Sequence, residues 1–225
     1  SNFMYPGAYN SYTRHVRLAH SFRSIQHEIV AGLVYETTNL TMRDIQSFIN
    51  KMEIGNMNWI INQVLDLREK HDALPRAFAA GYGIQFDVCM DIGGRRDLHR
   101  HRNCIQLHQK FSVDRGFDVP DLVKEIGMQD DYETNMKTAA RMIKELEGIF
   151  NNGDYLIPFA FRAGTLYKMD YRQAEYITVL RSTPQGHFSY REVAVEMDKQ
   201  LIELVPGLEK YSRVTSFQNE DMFKR

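Results

Sequence analysis

Cysteine is scarce in this chain, and its scarcity excludes one class of fold. Cys89 and Cys104 are the only two cysteines among 225 residues, which is too few for a disulfide scaffold. Free thiols are typical of a reducing compartment, and the start of the chain lacks the basic and apolar regions of a signal peptide. We therefore expect a cytoplasmic protein.

Long hydrophobic runs and an excess of one charge are lacking as well. No apolar run approaches the roughly 20 residues that a membrane-spanning helix needs, so we expect no membrane insertion. The formal net charge of -1 leaves no overall positive field, which argues against wholesale nucleic-acid binding. A hydrophobic content of 43% and a charged content of 25% are ordinary for a globular protein. The length fits one domain with a proper core.

The richest polar stretch lies at residues 91–111, between two apolar neighbours. Before it, apolar and polar residues alternate over residues 82–90, which predicts a strand with one buried face. After it, Leu98, Ile105 and Phe111 stand at roughly helical spacing. Gly93 and Gly94 lie where the period changes. The sequence therefore predicts a strand, a tight glycine turn and a helix.

Four arginines make this stretch a candidate anion site. A helix entered through glycines presents free backbone N–H groups, which favour bound anions. Arginines at consecutive turns of one helix repel each other unless an anion or a carboxylate lies between them. The alternative is that Asp91 and Asp97 neutralise the arginines, or that they point into water. The four residues are Arg95, Arg96, Arg100 and Arg102.

The remaining periodicities predict mainly helices. Trp59 is expected in the core, and Thr41 is expected to cap a short helix. Residues 155–161 form an edge strand at best, because Pro158 interrupts them, whereas residues 165–169 alternate. Helices are predicted over residues 12–36, after Thr41, over 56–68, from Pro120, over 132–150 with a stop at Asn152 and Gly153, from Asp170 to Arg181, and over 188–204 with an end at Pro206 and Gly207.

A metal site is not expected in this stretch. Asp97, His101, Cys104 and His108 are spaced by four, three and four residues, which places them on one face of a helix. Such a helix rises about 16 Å from the first to the last, whereas zinc holds all its ligands within about 2.3 Å. Nucleophilic catalysis by Cys104 has little support too, because no base is evident beside it.

Two motifs in order resemble the signatures of the flavin-dependent thymidylate synthases. Arg100, His101 and Arg102 resemble the Arg-His-Arg of that family. Further on, Arg172 and Arg181 are separated by eight residues, as in the family's second motif. Tyr190, Arg191, Ala194 and Pro206 also fall at similar places, so the resemblance covers about residues 73–206.

The resemblance implies an α/β (α+β) fold with a central, mostly antiparallel sheet flanked by helices. It implies FAD bound where subunits of a tetramer or pseudo-tetramer meet, with NADPH and methylenetetrahydrofolate as co-substrates and dUMP converted to dTMP. Arg100, His101, Arg102 and Arg172 are then expected to bind FAD. Arg181 is expected to bind the substrate and to stabilise negative charge on the uracil ring, as a permanently charged arginine can.

The chain departs from the family pattern at the positions that hold the nucleotide. Lys110 stands where the family has Ser, His108 replaces an acidic residue, and Ser112 replaces an arginine. Lys110 is therefore expected to bind a phosphate through the point charge of its ammonium group. Asp97, Asp170 and Tyr176 also differ from the family pattern.

Residues 1–225 are interpreted as a single domain, with a helical part over about 10–72 and a motif-bearing part over about 73–206. The departures resemble the divergent C-terminal half of long, two-domain family members. We therefore expect a degenerate synthase domain, weak or inactive alone, that completes sites on a catalytic N-terminal partner domain. An active enzyme remains open, as does a non-catalytic scaffold or anion-binding oligomerisation module.

Overall fold

The computed structural model describes residues 14–19, 24–67, 69, 72, 75–147, 153–204, 209 and 212–215. Four strands and eight α-helices lie within these residues. The strands are β1 (His15–Ala19), β2 (Ile84–Asp91), β3 (Ile105–His108) and β4 (Arg162–Met169). The helices are α1 (Ile25–Thr37), α2 (Met42–Ile49), α3 (Ile54–Leu65), α4 (Ile92–Leu98), α5 (Asp121–Glu125), α6 (Gln129–Glu147), α7 (Tyr171–Arg181) and α8 (Phe188–Leu204). Three short 3-10 turns span Arg76–Phe78, Val113–Arg115 and Gly153–Leu156.

The four strands form one antiparallel sheet in the order β1-β2-β4-β3. The central pair is the longest, since β2 and β4 match residue for residue from Ile84 opposite Met169 to Asp91 opposite Arg162. Helices cover both faces of the sheet. The predicted fold class, a central antiparallel sheet flanked by helices, is confirmed.

Alternation along the strands places an apolar core layer on each face of the sheet. On one face, apolar side chains pack beneath α7 and α8, and on the other face they pack beneath α1, α2 and α3. Burying one large apolar side chain stabilises the fold by about 1.5–3 kcal/mol. The first layer includes Phe86, Val88, Tyr167, Ile177 and Met197, and the second includes Val30, Ile45, Met57, Leu107 and Leu166.

The face beneath α1 also buries charged groups. Asp87 accepts hydrogen bonds from the Tyr35 hydroxyl at 2.7 Å and from the Met42 amide at 2.8 Å, so it holds the start of α2 against the sheet. The Lys168 ammonium lies 2.6 Å from Glu28 of α1, with both side chains buried. Buried charges are costly unless they are paired, and this pairing links α1 to β4.

The outer edge of β1 is covered by one side chain of α8. Gln200 accepts a hydrogen bond from the Leu18 amide at 2.6 Å and donates one to the Val16 carbonyl at 2.9 Å. The carboxamide therefore satisfies backbone groups that an edge strand otherwise leaves open.

Several predicted helix boundaries are confirmed. Thr41 precedes α2 and accepts a hydrogen bond from the Asp44 amide at 3.3 Å. Asp170 precedes α7 and accepts one from the Gln173 amide at 2.8 Å. The helix predicted over 188–204 is α8, and the helices predicted over 56–68 and 132–150 are α3 and α6 with shifted ends. Asn152, Pro206 and Gly207, which were expected to end two helices, lie outside the described residues.

The helix predicted over residues 12–36 is wrong in its first part. His15–Ala19 is a strand, and α1 begins only at Ile25. Val16 lies opposite Val88, and Leu18 lies opposite Phe86. Pairing with a distant strand therefore decides the conformation of this segment over its local apolar spacing.

The long helix predicted after the glycine pair is also wrong. Both glycines lie inside α4, which directly follows β2, and the chain returns to the sheet as β3 from Ile105. Asp91 caps α4 by accepting a hydrogen bond from the Gly94 amide at 2.7 Å. A Cβ atom at residue 94 would overlap the Ser189 hydroxyl, so glycine is needed there for close packing against α8.

Two further expectations, on Trp59 and on residues 155–161, are wrong. Trp59 is 63% exposed, because it lies two residues after the buried Met57 and so on the opposite side of α3. Residues 155–161 form no regular strand: a 3-10 turn ends at Leu156, and Phe161 makes one isolated bridge with Phe117 before β4 begins. Within the described part of the chain, no helix is long and apolar enough to cross a membrane.

Candidate functional site

His101 lies between α4 and β3, where local hydrogen bonds fix its position. Its amide donates to the Leu98 carbonyl at 3.1 Å, which closes the end of α4. Its carbonyl accepts from the Gln106 carboxamide at 2.9 Å and from the Cys104 thiol at 3.0 Å. The residue is buried. These local hydrogen bonds therefore fix the position of His101 independently of its contacts with residues far away in the sequence.

The imidazole of His101 contacts the last residue of α7. Arg181 Nε donates a hydrogen bond to Nε2 of His101 at 2.7 Å. The same guanidinium lies over the ring of Tyr190 at 5.4 Å, a contact that favours a cation. Burial and the positive charge of Arg181 lower the pKa of His101 to about 4. His101 is therefore neutral at physiological pH, with Nε2 as an acceptor.

A second hydrogen bond joins the two motifs. The Asn103 carboxamide donates to the Gln173 carboxamide oxygen at 3.1 Å. These residues directly follow Arg102 and Arg172, both of which are exposed. Arg102 and Arg172 therefore each directly precede one partner of the same hydrogen bond, although Asn103 and Gln173 are 70 residues apart in the sequence.

Arg100 and an aromatic ring complete the surface around His101. The Arg100 side chain is 73% exposed and lies 3.5 Å from Asp97, a surface pair of small energetic value. Tyr176 is 53% exposed, and its ring meets that of His101 edge-on with 5.9 Å between the centroids. We call Arg100, His101, Arg102, Arg172 and Arg181, together with Tyr176, the arginine cluster.

The arginine cluster has the donor chemistry that a phosphate-bearing flavin needs. Exposed guanidinium groups donate several hydrogen bonds to phosphate oxygens. A half-exposed tyrosine offers an aromatic face for a planar ring. The donor chemistry of these residues therefore fits a phosphate-bearing flavin such as FAD.

Lys110 stands apart from this cluster. Its side chain is 71% exposed and lies 3.7 Å from Asp154. Ser112 caps the following 3-10 turn, by accepting a hydrogen bond from the Asp114 amide at 3.0 Å. The contacts of the described residues do not connect Lys110 with His101 or Arg181.

The metal and thiol hypotheses gain no support. The described residues contain no group of three or more His, Cys, Asp or Glu side chains that could hold a metal ion. The shared helical face of Asp97, His101, Cys104 and His108 does not exist, because the last of them lies in β3. Cys89 and Cys104 are buried free thiols, and burial raises the pKa of Cys89 to about 11 and also raises that of Cys104.

Sequence reasoning missed the uncharged residues that join the motifs. Asn103 and Gln173 each follow a predicted arginine directly in the sequence, which is the one local signal that singles them out. Tyr190 was noted for its spacing alone, yet it carries the Arg181 guanidinium on its ring. Each of these contacts joins two different structural elements, and no local sequence pattern indicates that these elements lie close together.

Fold and cluster together define a mixed α and β domain that presents arginines around a neutral histidine. The family model described as thymidylate synthase complementing protein matches residues 31–207. The chain therefore belongs to the thymidylate synthase complementing protein family, to which the flavin-dependent thymidylate synthases belong.

Relatives and solved structures agree with this placement. The chain is 33% identical over 169 residues to a UPF0159 protein of Thermoplasma acidophilum, covering 73% of this chain. It is 26% identical over 198 residues to a UPF0159 protein of Chlamydia pneumoniae, covering 87% of this chain. The chain spans only 34% and 37% of the lengths of these two relatives.

Among solved structures, the chain resembles the UMP/dUMP methylase PolB from Streptomyces cacaoi, bound with 5-Br UMP. The TM-score is 0.55 at 15% identity, and the match covers 91% of this chain and 97% of the other. At this identity the likeness shows a shared fold.

Proposed function

We propose that this chain is a degenerate flavin-dependent thymidylate synthase domain that completes FAD or nucleotide sites on a partner domain. The observation that carries the proposal is the His101–Arg181 hydrogen bond, because it joins the family's two motifs in one cluster. A degenerate domain does not itself need to turn over dUMP. We treat residues 1–225 as one such domain, in the cytoplasm.

The chain's own residues have distinct tasks in this proposal. Arg100, Arg102 and Arg172 bind and orient the phosphate-bearing cofactor through exposed guanidinium groups. His101 stays neutral and holds Arg181 in place as an acceptor. Arg181 presents positive charge toward an anionic uracil ring, where a permanent charge stabilises the developing negative charge. FAD, when bound, supplies the redox chemistry, with NADPH and methylenetetrahydrofolate as co-substrates.

The exposure of the cluster favours completion by a second surface. Arg100, Arg102 and Tyr176 point outward rather than into a closed cavity, and charged hydrogen bonds gain most of their strength where water is excluded. The matching region covers only 34% and 37% of these relatives, so further sequence accompanies it in them. We infer an oligomer or pseudo-tetramer in which a catalytic N-terminal domain covers the cluster.

Lys110 supports degeneracy rather than an intact nucleotide site. It replaces the serine of the family pattern, and its ammonium faces Asp154. A neighbouring carboxylate competes with a phosphate for the same charge. We propose that Lys110 contacts a nucleotide phosphate only when a partner domain brings that phosphate close.

The test is FAD titration, followed by flavin fluorescence, on the chain alone and then with the N-terminal remainder of a long relative added. Saturable binding that needs the mixture supports the proposal. Binding by the chain alone, together with dUMP-dependent oxidation of the reduced flavin, would instead identify an active enzyme.

The alternative function is a non-catalytic scaffold or anion-binding oligomerisation module. Its support is that Arg181 already has two internal partners, His101 and Tyr190, as a structural residue does. This alternative predicts a colourless protein and no FAD binding in either titration.

A further inference from the structure

A cavity of about 750 Å³ lies beside the edge strand β1, between α2 and the C-terminal half of α8. Its base is formed by β1, and the two helices form its walls. Sites for small molecules in proteins commonly enclose about 300–1,000 Å³. None of the residues that line the cavity belongs to the arginine cluster. The cavity therefore offers room for a small ligand that the candidate flavin site does not use.

Two arginines give one side of the cavity a positive charge. Arg17 of β1 is half-buried, Arg43 of α2 is exposed, and neither forms an ion pair with another described residue. Arg17 stands opposite Asp87 in the strand register. Side chains at such paired positions are close neighbours, so the buried Asp87 carboxylate offsets part of the Arg17 charge. Arg43 is therefore the more available cation, and its guanidinium favours an anionic group of a ligand.

Two glutamates of α8 give the opposite side of the cavity a negative charge. Glu196 and Glu203 are seven residues apart, which places them on one face of the helix and about 10 Å apart along its axis. Glu196 lies 3.4 Å from Lys199, whereas Glu203 is exposed and forms no ion pair with another described residue. The Gln200 carboxamide between them is already bound to the β1 backbone. Glu203 is therefore the available anion for a cationic group.

Apolar side chains line the cavity between its two charged sides. Leu18 of β1, Met42 of α2 and Leu204 of α8 contribute to the lining, and Leu204 is 44% exposed. Among the described residues no ion pair joins the arginines to the glutamates, so the charges of one side do not satisfy those of the other. A ligand with an anionic group, a cationic group and an apolar part matches all three surfaces, and burial of its apolar part adds to the affinity.

We propose that this cavity binds an apolar α-amino acid with free carboxylate and ammonium groups, or a short apolar peptide with both ends free. Arg43 and Arg17 bind the carboxylate, and Glu203 binds the ammonium. The apolar side chain packs on Leu18 and Leu204. The two kinds of ligand share this chemistry and differ in the distance between their charged ends. The site does not depend on the flavin function, because its residues lie outside the arginine cluster.

The test is isothermal titration calorimetry of the full chain with leucine, at constant salt and neutral pH, where we expect saturable binding. Leucine amide lacks the carboxylate and N-acetylleucine lacks the ammonium, so each should bind at least about tenfold more weakly. Leucyl-leucine distinguishes the two sources: tighter binding than leucine assigns a peptide, and weaker binding assigns the free amino acid. The proposal is overturned if neither leucine nor leucyl-leucine binds saturably, or if leucine and its two derivatives bind alike.

Substitutions at the two available charges test the assigned contacts. Arg43→Met should lose most of the preference for leucine over leucine amide, because the main partner of the carboxylate is gone. Glu203→Gln should likewise lose most of the preference for leucine over N-acetylleucine. Both residues are exposed, so both variants should fold. Arg141→Met and Glu145→Gln, which remove the charges of a surface pair on α6, are the matched controls and should keep both preferences. If Arg43→Met and Glu203→Gln keep them as well, the cavity does not bind its ligand in this way and the proposal is wrong.

Discussion

Arg181 Nε donates a hydrogen bond to Nε2 of His101 at 2.7 Å, so one imidazole couples the two arginine motifs. The pairing adds to burial in keeping the histidine neutral, because the guanidinium charge opposes a second positive charge beside it. It also fixes the direction of Arg181. Both effects can be separated by substitution.

Arg181→Ala should raise the pKa of His101 while leaving the fold intact. Loss of the positive neighbour removes one of the two causes of the low pKa, although burial still acts. NMR titration of the His101 ring measures the change directly. Arg172→Ala, an exposed arginine of the same helix, is the control and should leave the His101 pKa unchanged. A large fall in melting temperature for Arg181→Ala would mark the residue as structural.

Arg102→Ala should weaken flavin binding by about 1.5–3 kcal/mol, the value of a lost charged hydrogen bond. The measurement is flavin fluorescence in whichever mixture binds FAD. Arg141→Ala is the control, because Arg141 is exposed on α6 and pairs with Glu145 at the surface. Unchanged FAD affinity in Arg102→Ala would remove that residue from the site.

Stability should fall on acidification because His101 is buried as the neutral form. Its pKa is about 4 in the folded chain and about 6.5 when unfolded. The unfolded chain therefore binds a proton between these values while the native chain does not, so stability is full above about pH 6.5 and is lost as pH falls toward 4.

At pH 5 we expect a loss on the order of 2 kcal/mol from this histidine alone. Urea unfolding at pH 7 and pH 5 measures it, with His101→Gln as the comparison. The variant should lose less stability over the same interval. Equal losses in the two proteins would show that His101 is not the group responsible.

Lys168→Met should destabilise the fold by about 3–5 kcal/mol, because it leaves the Glu28 carboxylate buried without its cation. Adding Glu28→Gln should recover much of this loss. Lys137→Met is the control, since Lys137 pairs with Glu133 at the surface and should cost less than about 1 kcal/mol. Similar costs for the two lysines in urea unfolding would contradict the buried pair.

Gly164→Ala should destabilise by about 1–3 kcal/mol through overpacking. A Cβ atom there would overlap the Gln109 carboxamide, which also accepts a hydrogen bond from Arg115 at 2.6 Å. At Gly83 a Cβ atom meets nothing within 4 Å, so Gly83→Ala is the matched control and should be close to neutral. Thermal unfolding of both variants decides the matter.

The sequence correctly predicted those helices that have a long apolar repeat or a capping residue close by in the sequence. The helix α8 carries its apolar stripe over 17 residues. The side chains of Thr41 and Asp170 cap their helices by accepting hydrogen bonds from the backbone amides three residues later. The segment His15–Ala19 has only five residues, too few to separate a period of two from a period of 3.6. Its partner β2 lies about 70 residues later, where no local pattern points back to it.

The candidate site was likewise predictable only where its signal is local in the sequence. Motif spacing singled out Arg172 and Arg181, and the fold brings Arg181 to His101. The Asn103–Gln173 bond and the buried Arg95 could not be foreseen, because both depend on how β3 leaves α4 and joins β4. Because Ile105 was expected to lie in a helix, the return of the chain to the sheet as β3 was not predicted.

The two hydrogen bonds of Gln200 give the sheet a defined border. An incoming strand would need the Leu18 amide and the Val16 carbonyl, and a side-chain amide already occupies both. Gln200 therefore prevents a strand of a neighbouring chain from extending the sheet at β1. Self-association of this domain must proceed through side-chain surfaces or through the opposite border of the sheet.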